Sequence, residues 1–142
     1  MERVMALDYG SKTVGVAVNE GSLVAFPLEI IRRDRENALR KTFRRVQEIA
    51  SQKSIQRIVV GLPLNMDRTE GERAQKSREF AENVARHTGL PVEMRDETLT
   101  TVEADERMKE AGVRADRRDD YIDSAAAAVI LEDWLSDHEG SL

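Results

Sequence analysis

The sequence contains no cysteine, which removes disulfide staples and thiolate chemistry together and leaves oxygen and imidazole as the metal donors. The two histidines, His87 and His138, stand far apart and offer no usable pair. No apolar run approaches the roughly 20 residues of a membrane-spanning helix. The opening Met1-Glu2-Arg3-Val4 has neither the basic start nor the long apolar stretch of a signal peptide. No membrane partner is therefore expected, and the cytoplasm is the expected location. Internal repeats, low-complexity tracts and linkers are also missing, so residues 1–142 read as a single domain.

What is present is a globular composition, 40% hydrophobic and 35% charged. The net charge of −5 argues mildly against a nucleic-acid partner, but its distribution is uneven. Between residues 32 and 45 lie Arg32, Arg33, Arg35, Arg40, Lys41, Arg44 and Arg45, against Asp34 and Glu36. Such a segment reads either as a solvated helix face or as a surface that steers phosphate.

The hydrophobic pattern predicts strands over residues 3–9, 14–18 and 23–31, separated by a Gly10-Ser11-Lys12 turn and an Asn19-Glu20-Gly21 break. Short strands joined this way imply an antiparallel meander. The period then changes. Leu39, Phe43, Val46 and Ile49 recur at helical spacing, with most of the arginines on the opposite side. Ile55 to Val60 reads as a buried strand broken by Gly61-Leu62-Pro63. Ala74, Phe80, Ala81 and Val84 mark a helix stopped by Gly89 and Pro91. Residues 92–95 form a fifth strand, Thr100 and Glu103 a capping box for a helix ending at Gly112, and residues 119–135 a last helix. The order β-β-β-α-β-α-β-α-α predicts an α/β fold. Its mixed five-stranded sheet has three antiparallel N-terminal strands, then parallel ones, with helices on both faces.

Three carboxylates stand out against this frame. Asp8 closes an apolar strand before a glycine turn, where an uncompensated charge is costly; it also suits a turn in which its side chain binds backbone amides. Glu97 follows the fifth strand, at the end where parallel strands gather functional groups, although an acid before a helix is explained equally by the helix dipole. Asp123 shares a helical face with Ala126, Ala127, Ile130 and Trp134, an otherwise apolar stripe whose alanines allow close approach to the sheet. It also lies in the helix's first turns, where acids are favoured. Two strand ends and one late helix can converge on one rim, and the resulting cluster would repel itself without cations. All-oxygen donors favour Mg²⁺ or Mn²⁺, with Asp8 bridging two ions for in-line phosphodiester displacement.

At these residues the sequence resembles the YqgF family, also called RuvX or the pre-16S rRNA nuclease family, within the RNase H-like superfamily. The resemblance runs through Asp8-Tyr9-Gly10, Gly15-Val16-Ala17, the stretch from Ile58 to Asp67, Thr69-Glu70-Gly71, Asp96-Glu97, Leu99-Thr100-Thr101, Glu103-Ala104, and Asp123 with Ala125-Ala126 and Ile130-Leu131. It implies Asp8, Glu97 and Asp123 as catalytic, metal-binding carboxylates and the loop from Gly61 to Gly71 as a substrate-side element. It implies nucleic acid as partner, either the 5′ end of pre-16S rRNA or branched, four-way DNA. Cutting a junction symmetrically would favour a two-fold homodimer; trimming an rRNA end would not need one. Lys12, Arg40, Lys41, Arg44, Arg45, Arg117 and Arg118 are the candidate nucleic-acid contacts. The sequence departs from the family pattern at Thr13, where Arg is frequent, and at Thr98. Arg68 stands for a usual Gly, and Asp119-Asp120 stand where lysines are expected.

Two rival classes are weighed against this. Actin-like ATPases begin with a similar Asp-x-Gly turn but need a second domain and a second glycine-rich phosphate loop, and this chain is too short and has no such loop. A non-catalytic binder of the ribosome or transcription machinery fits the missing basic residues, yet has little reason to gather three carboxylates that repel one another.

Overall fold

A computed structural model describes residues 1–97 and 118–138 of the chain, with side chains over 1–97 and 125–138. Five strands, β1 (Val4–Tyr9), β2 (Thr13–Val18), β3 (Phe26–Arg32), β4 (Arg57–Leu62) and β5 (Val92–Asp96), form one sheet in the order β3-β2-β1-β4-β5. β1 pairs antiparallel with β2, and β2 with β3, whereas β1–β4 and β4–β5 are parallel. The helices are α1 (Arg40–Gln52), α2 (Glu72–Thr88) and α3 (Arg118–His138). The mixed sheet expected from the change of period is the sheet observed.

Alternation along the central strand decides what lies on each face. Met5, Leu7 and Tyr9 point into a core with Phe43, Val46 and Ile49 of α1 and Phe80, Ala81 and Val84 of α2. Val4 and Ala6 point the other way, with Ala17 and Val59, into a second core built by Ala127, Ala128, Ile130, Leu131, Trp134 and Leu135 of α3. Small residues on both partners let α3 lie close to the sheet. By the same alternation, Asp8 belongs to the α3 face.

Several boundaries differ from the sequence pattern, each for a local reason. The third strand starts at Phe26 rather than residue 23 because a buried Asn19 organises the preceding turn. Its Oδ1 accepts from the Val4 N–H at 2.9 Å and its Nδ2 donates to the Glu2 carbonyl at 2.8 Å. That leaves Leu23 and Val24 exposed in the loop. The fourth strand does not stop at Gly61: it begins at Arg57 and runs on through Leu62, because Gly61 and Leu62 pair with Arg95 and Asp96. β5 correspondingly reaches Asp96, and the last helix is longer at both ends than residues 119–135. The helix expected from Thr100 to Gly112 lies outside the described residues. The inward stripe expected on the last helix is also broader than its spacing suggests, since residues 125–131 are all buried. Among the described residues no helix is long and apolar enough to cross a membrane.

Replacing the fully buried Ala127 by Leu inserts three carbons between α3 and the sheet. This should cost about 1–3 kcal/mol, read as a shift in the urea midpoint with an unchanged slope.

Candidate active site

Asp8, the fifth residue of β1, and Glu97, which follows β5 directly, meet at the rim where the parallel strands end. The Glu97 N–H donates to the Leu62 carbonyl at 3.1 Å, which carries the sheet pairing one residue beyond β5. Between them lies Gly61. A Cβ placed there would stand 2.5 Å from Oε2 of Glu97 and 2.7 Å from Cδ1 of Ile130. Only a hydrogen at that position leaves room for the carboxyl group and the helix side chain together, so a glycine read from sequence as a strand breaker is the floor of the site. A glycine inside a continuous apolar strand is the signal that points to such an approach.

Glu97 hydrogen-bonds to Asp8, and both residues are half-buried. Burial first, then the Asp8 charge and the hydrogen bond to it, push the Glu97 carboxyl up to about 10. The pair therefore holds a proton at neutral pH, with Glu97 O–H donating to the Asp8 carboxylate. Asp96 adds to the upward shift, whereas the guanidinium of Arg73 opposes it.

The turn after Asp8 is clamped from the α1–α2 side. Arg73 Nη2 donates to the Tyr9 carbonyl at 3.2 Å, and Arg33 Nη2 donates to the Gly10 and Ser11 carbonyls at 2.6 and 2.9 Å. Three consecutive carbonyls following the carboxylate are thus held by two arginines. Both guanidiniums also lie within 5.0 Å of the Tyr9 ring centroid, and that ring stacks on Phe80. Glu36 ties the arrangement together, accepting from Arg73 at 2.7 Å and Lys76 at 3.1 Å through Oε1. Neither Arg33 nor Arg73 was singled out by the sequence as a site residue, because nothing in residue order places them behind Asp8.

Asp123 lies on α3, two turns before Ile130 and on the same helical face by spacing; its side chain lies outside the described residues. Among the described residues no group of three His, Asp or Glu is placed to hold a metal ion. The site they define is the Asp8–Glu97 pair.

The basic candidates divide. Lys12 is exposed in the β1–β2 turn, next to the site. Arg40, Lys41, Arg44 and Arg45 belong to α1, which packs on the sheet face opposite to the carboxylates. Arg45 is engaged by Glu29 at 2.6 Å and by Glu48 at 3.2 Å. Arg117 and the side chain of Arg118 lie outside the described residues, as do Thr98 and the side chains of Asp119 and Asp120. Arg68, which stands for a usual Gly, has φ +68°, a left-handed conformation that favours glycine. Its Nη2 reaches Asp96 at 2.5 Å, tying the loop beyond β4 to the residue beside Glu97.

A sheet in the order β3-β2-β1-β4-β5, with two carboxyl groups meeting where its central and last strands end, defines the RNase H-like class of domain. The fold is matched over nearly its full length by Thermus thermophilus RuvC in complex with a Holliday junction substrate. That likeness has a TM-score of 0.65 at 16% identity, covering 99% of this chain and 98% of the other. Fowlpox virus resolvase matches at a TM-score of 0.53 and 12% identity over 95% and 97% of the two chains. These likenesses concern the fold. The family model described as "RuvX: Holliday junction resolvase" matches residues 2–137, and the chain belongs to that family. Relatives include a protein of Agathobacter rectalis, 48% identical over 134 residues, covering 94% of each chain. Another, from Myxococcus xanthus, is 43% identical over 137 residues, covering 96% of this chain and 89% of its own. Both carry the name "Putative pre-16S rRNA nuclease".

The raised Glu97 carboxyl makes metal-free stability depend on pH. In the folded protein it keeps its proton up to about 10, whereas the unfolded chain ionises near the ordinary value. Its contribution is therefore fully present below that ordinary value and lost as pH rises toward 10. Glu97→Gln cannot ionise and escapes the loss. In EDTA its melting temperature should exceed that of the natural protein at pH 8, with the gap closing toward pH 5. A gap independent of pH would contradict a shared proton.

Proposed function

We propose that this protein is a divalent-metal-dependent nuclease that hydrolyses phosphodiester bonds in structured nucleic acid, acting in the cytoplasm on the 5′ end of pre-16S rRNA. The observation that carries the reading is the Asp8–Glu97 pair over Gly61. Two half-buried carboxyl groups, one forced to keep a proton by the other, make a poor structural element and a good cation receptor. Their donors are all oxygen, which fits Mg²⁺ or Mn²⁺ and disfavours softer metals. Asp8 and Glu97, joined by Asp123 from α3, would hold the ions. When bound, such ions supply a water nucleophile at neutral pH and neutralise charge on the leaving oxygen.

The chain's own groups do the rest. Glu97 has to give up its shared proton to become a full ligand, so loading is coupled to proton release. Arg33 and Arg73 fix the backbone that carries Asp8, which limits the loss of orientation on binding. Lys12, on the turn beside the pair, would contact a phosphate at the rim, and Arg117 and Arg118, which precede Asp123 in the sequence, would add further contacts. Support for rRNA as substrate comes from the names of the relatives. A second reading, resolution of four-way DNA junctions, is favoured by the description of the family and by the fold shared with a junction-bound resolvase. A homodimer belongs to that second reading alone.

A side-by-side assay on a pre-16S leader RNA and a four-way DNA junction, each with Mg²⁺ and Mn²⁺, separates the two. Cleavage of the leader is expected, and cleavage of the junction alone would favour the second reading. Asp8→Asn should keep the circular dichroism spectrum and lose cleavage of both. Persistent cutting by that variant, free of contaminating nuclease, would sink the site. Gly61→Ala leaves the backbone allowed but drives the Glu97 carboxyl off Asp8. Its rate should fall on the order of 100-fold with little change in melting temperature.

A further inference from the structure

On the other side of the β1–β2 turn from the carboxylates is a cavity of about 450 Å³. Its wall includes Arg32, Arg33, Arg35, Arg40 and Lys41, and Asp34 is the acid among the described lining residues. Arg35, Arg40 and Lys41 pair with no carboxylate among the described residues, in contrast to Arg45 one turn along. The first turn of α1 opens on the same space. Leu39 supplies no side-chain cap, and the turn holds no acidic residue. Helix geometry leaves the earliest N–H groups without an intrahelical acceptor, and at this end the Phe43 N–H donates to the Leu39 carbonyl at 2.9 Å. Cations gathered at the positive end of a helix dipole are the reverse of the stabilising arrangement. An anion seated among them resolves both problems.

Behind this cluster lies a further positive charge that no carboxylate side chain pairs among the described residues. Arg33 is 9% exposed, yet its Nη1 has no hydrogen-bond partner among the described residues. Burial pulls its guanidinium below the ordinary value, so the fold compensates this charge incompletely. The nearby acid, Glu36, is already shared between Arg73 and Lys76.

We propose that this cavity is a phosphate-binding subsite, separate from the carboxylate pair, formed by Arg35, Arg40, Lys41 and the first turn of α1, with the buried charge of Arg33 adding to the positive potential behind it. It takes one phosphoryl group, either a phosphodiester of the nucleic-acid strand whose cleavage is proposed above or a free phosphate. For the first source it rests on the nuclease reading; for the second it does not. Arg33 joins the subsite to the site, because this residue of the cavity wall also holds, through its guanidinium, the Gly10 and Ser11 carbonyls just after Asp8. A strand crossing the sheet rim would then be gripped on the α1 side and cut on the α3 side.

The test uses the full-length protein in EDTA, compared with the variant Arg35→Ala/Arg40→Ala/Lys41→Ala, whose three positions are exposed. One arm titrates inorganic phosphate at constant ionic strength and follows backbone amide shifts over residues 33–43. The other measures affinity for a fluorescent single-stranded RNA across a salt series. The expected result is phosphate-dependent shifts that the variant loses, with RNA bound roughly tenfold more weakly. The salt slope should be smaller by about 0.7 for each phosphate contact removed. Phosphate shifts with unaltered RNA binding would keep the subsite and identify free phosphate as its source. Absence of both effects, in a variant with the natural melting temperature, would overturn it. Failure of the nuclease reading shows separately, as no metal-dependent cleavage by the natural protein, and leaves the phosphate arm intact.

Discussion

Two carboxyl groups that share a proton at neutral pH in the absence of a cation meet at the rim of the sheet, and the architecture around them holds them together. Asp8 is delivered by the central strand and Glu97 by the chain leaving the edge strand, with β4 between them. The gap is spanned only because β4 carries a glycine at the crossing point, so that Glu97 can lie over the backbone and against Ile130. Repulsion and burial are unfavourable terms that the surrounding cores must offset.

The division of the sheet into two faces explains how that contact is held. On one face, alanines of α3 and the small residues of β1 and β2 bring a helix close enough to wall the site. On the other, the larger side chains of α1 and α2 build the main core, and its rim is finished by Tyr9, Phe80, Arg33 and Arg73. The arginines hydrogen-bond main-chain carbonyls, which fixes the turn without using a side chain on the carboxylate face. At the end of β1 the carboxyl pair therefore lies on the α3 side and the two clamping arginines on the α1–α2 side.

The departures from the family pattern take on physical meaning in this frame. Arg68 occupies a left-handed position that glycine would adopt at no cost, and about 1 kcal/mol is the usual penalty for another residue there. Its side chain compensates in part through Asp96, one residue before Glu97. Thr13 begins β2 and its carbonyl accepts the Gly10 N–H at 2.7 Å, so the tight turn closes through the backbone whatever side chain stands there. The overall acidity conceals a local positive cluster, since Arg32, Arg33, Arg35, Arg40 and Lys41 line one cavity.

Over the described residues, residue order alone determined the elements, their sequence and the type of sheet, since a period of two followed by a period near 3.6 leaves little freedom in how apolar side chains are buried. It also marked Asp8 and Glu97, because a charge at the end of an apolar strand is conspicuous without any fold. The rest depended on tertiary structure. Whether Gly61 breaks a strand or makes room within it is settled by the partner strand and by Glu97, thirty-six residues away. The role of Asn19 in delaying the third strand follows from its bonds to Glu2 and Val4. The arginines of residues 32–45 look like one patch along the chain, yet the packing of α1 pairs Arg45 with Glu29 and sets Arg33 behind the turn that carries Asp8. Periodicity specifies which side of an element is buried but not which face of the sheet receives it. The face, and with it the company each charge keeps, was decided only by the crossovers between parallel strands and the close packing of the folded chain.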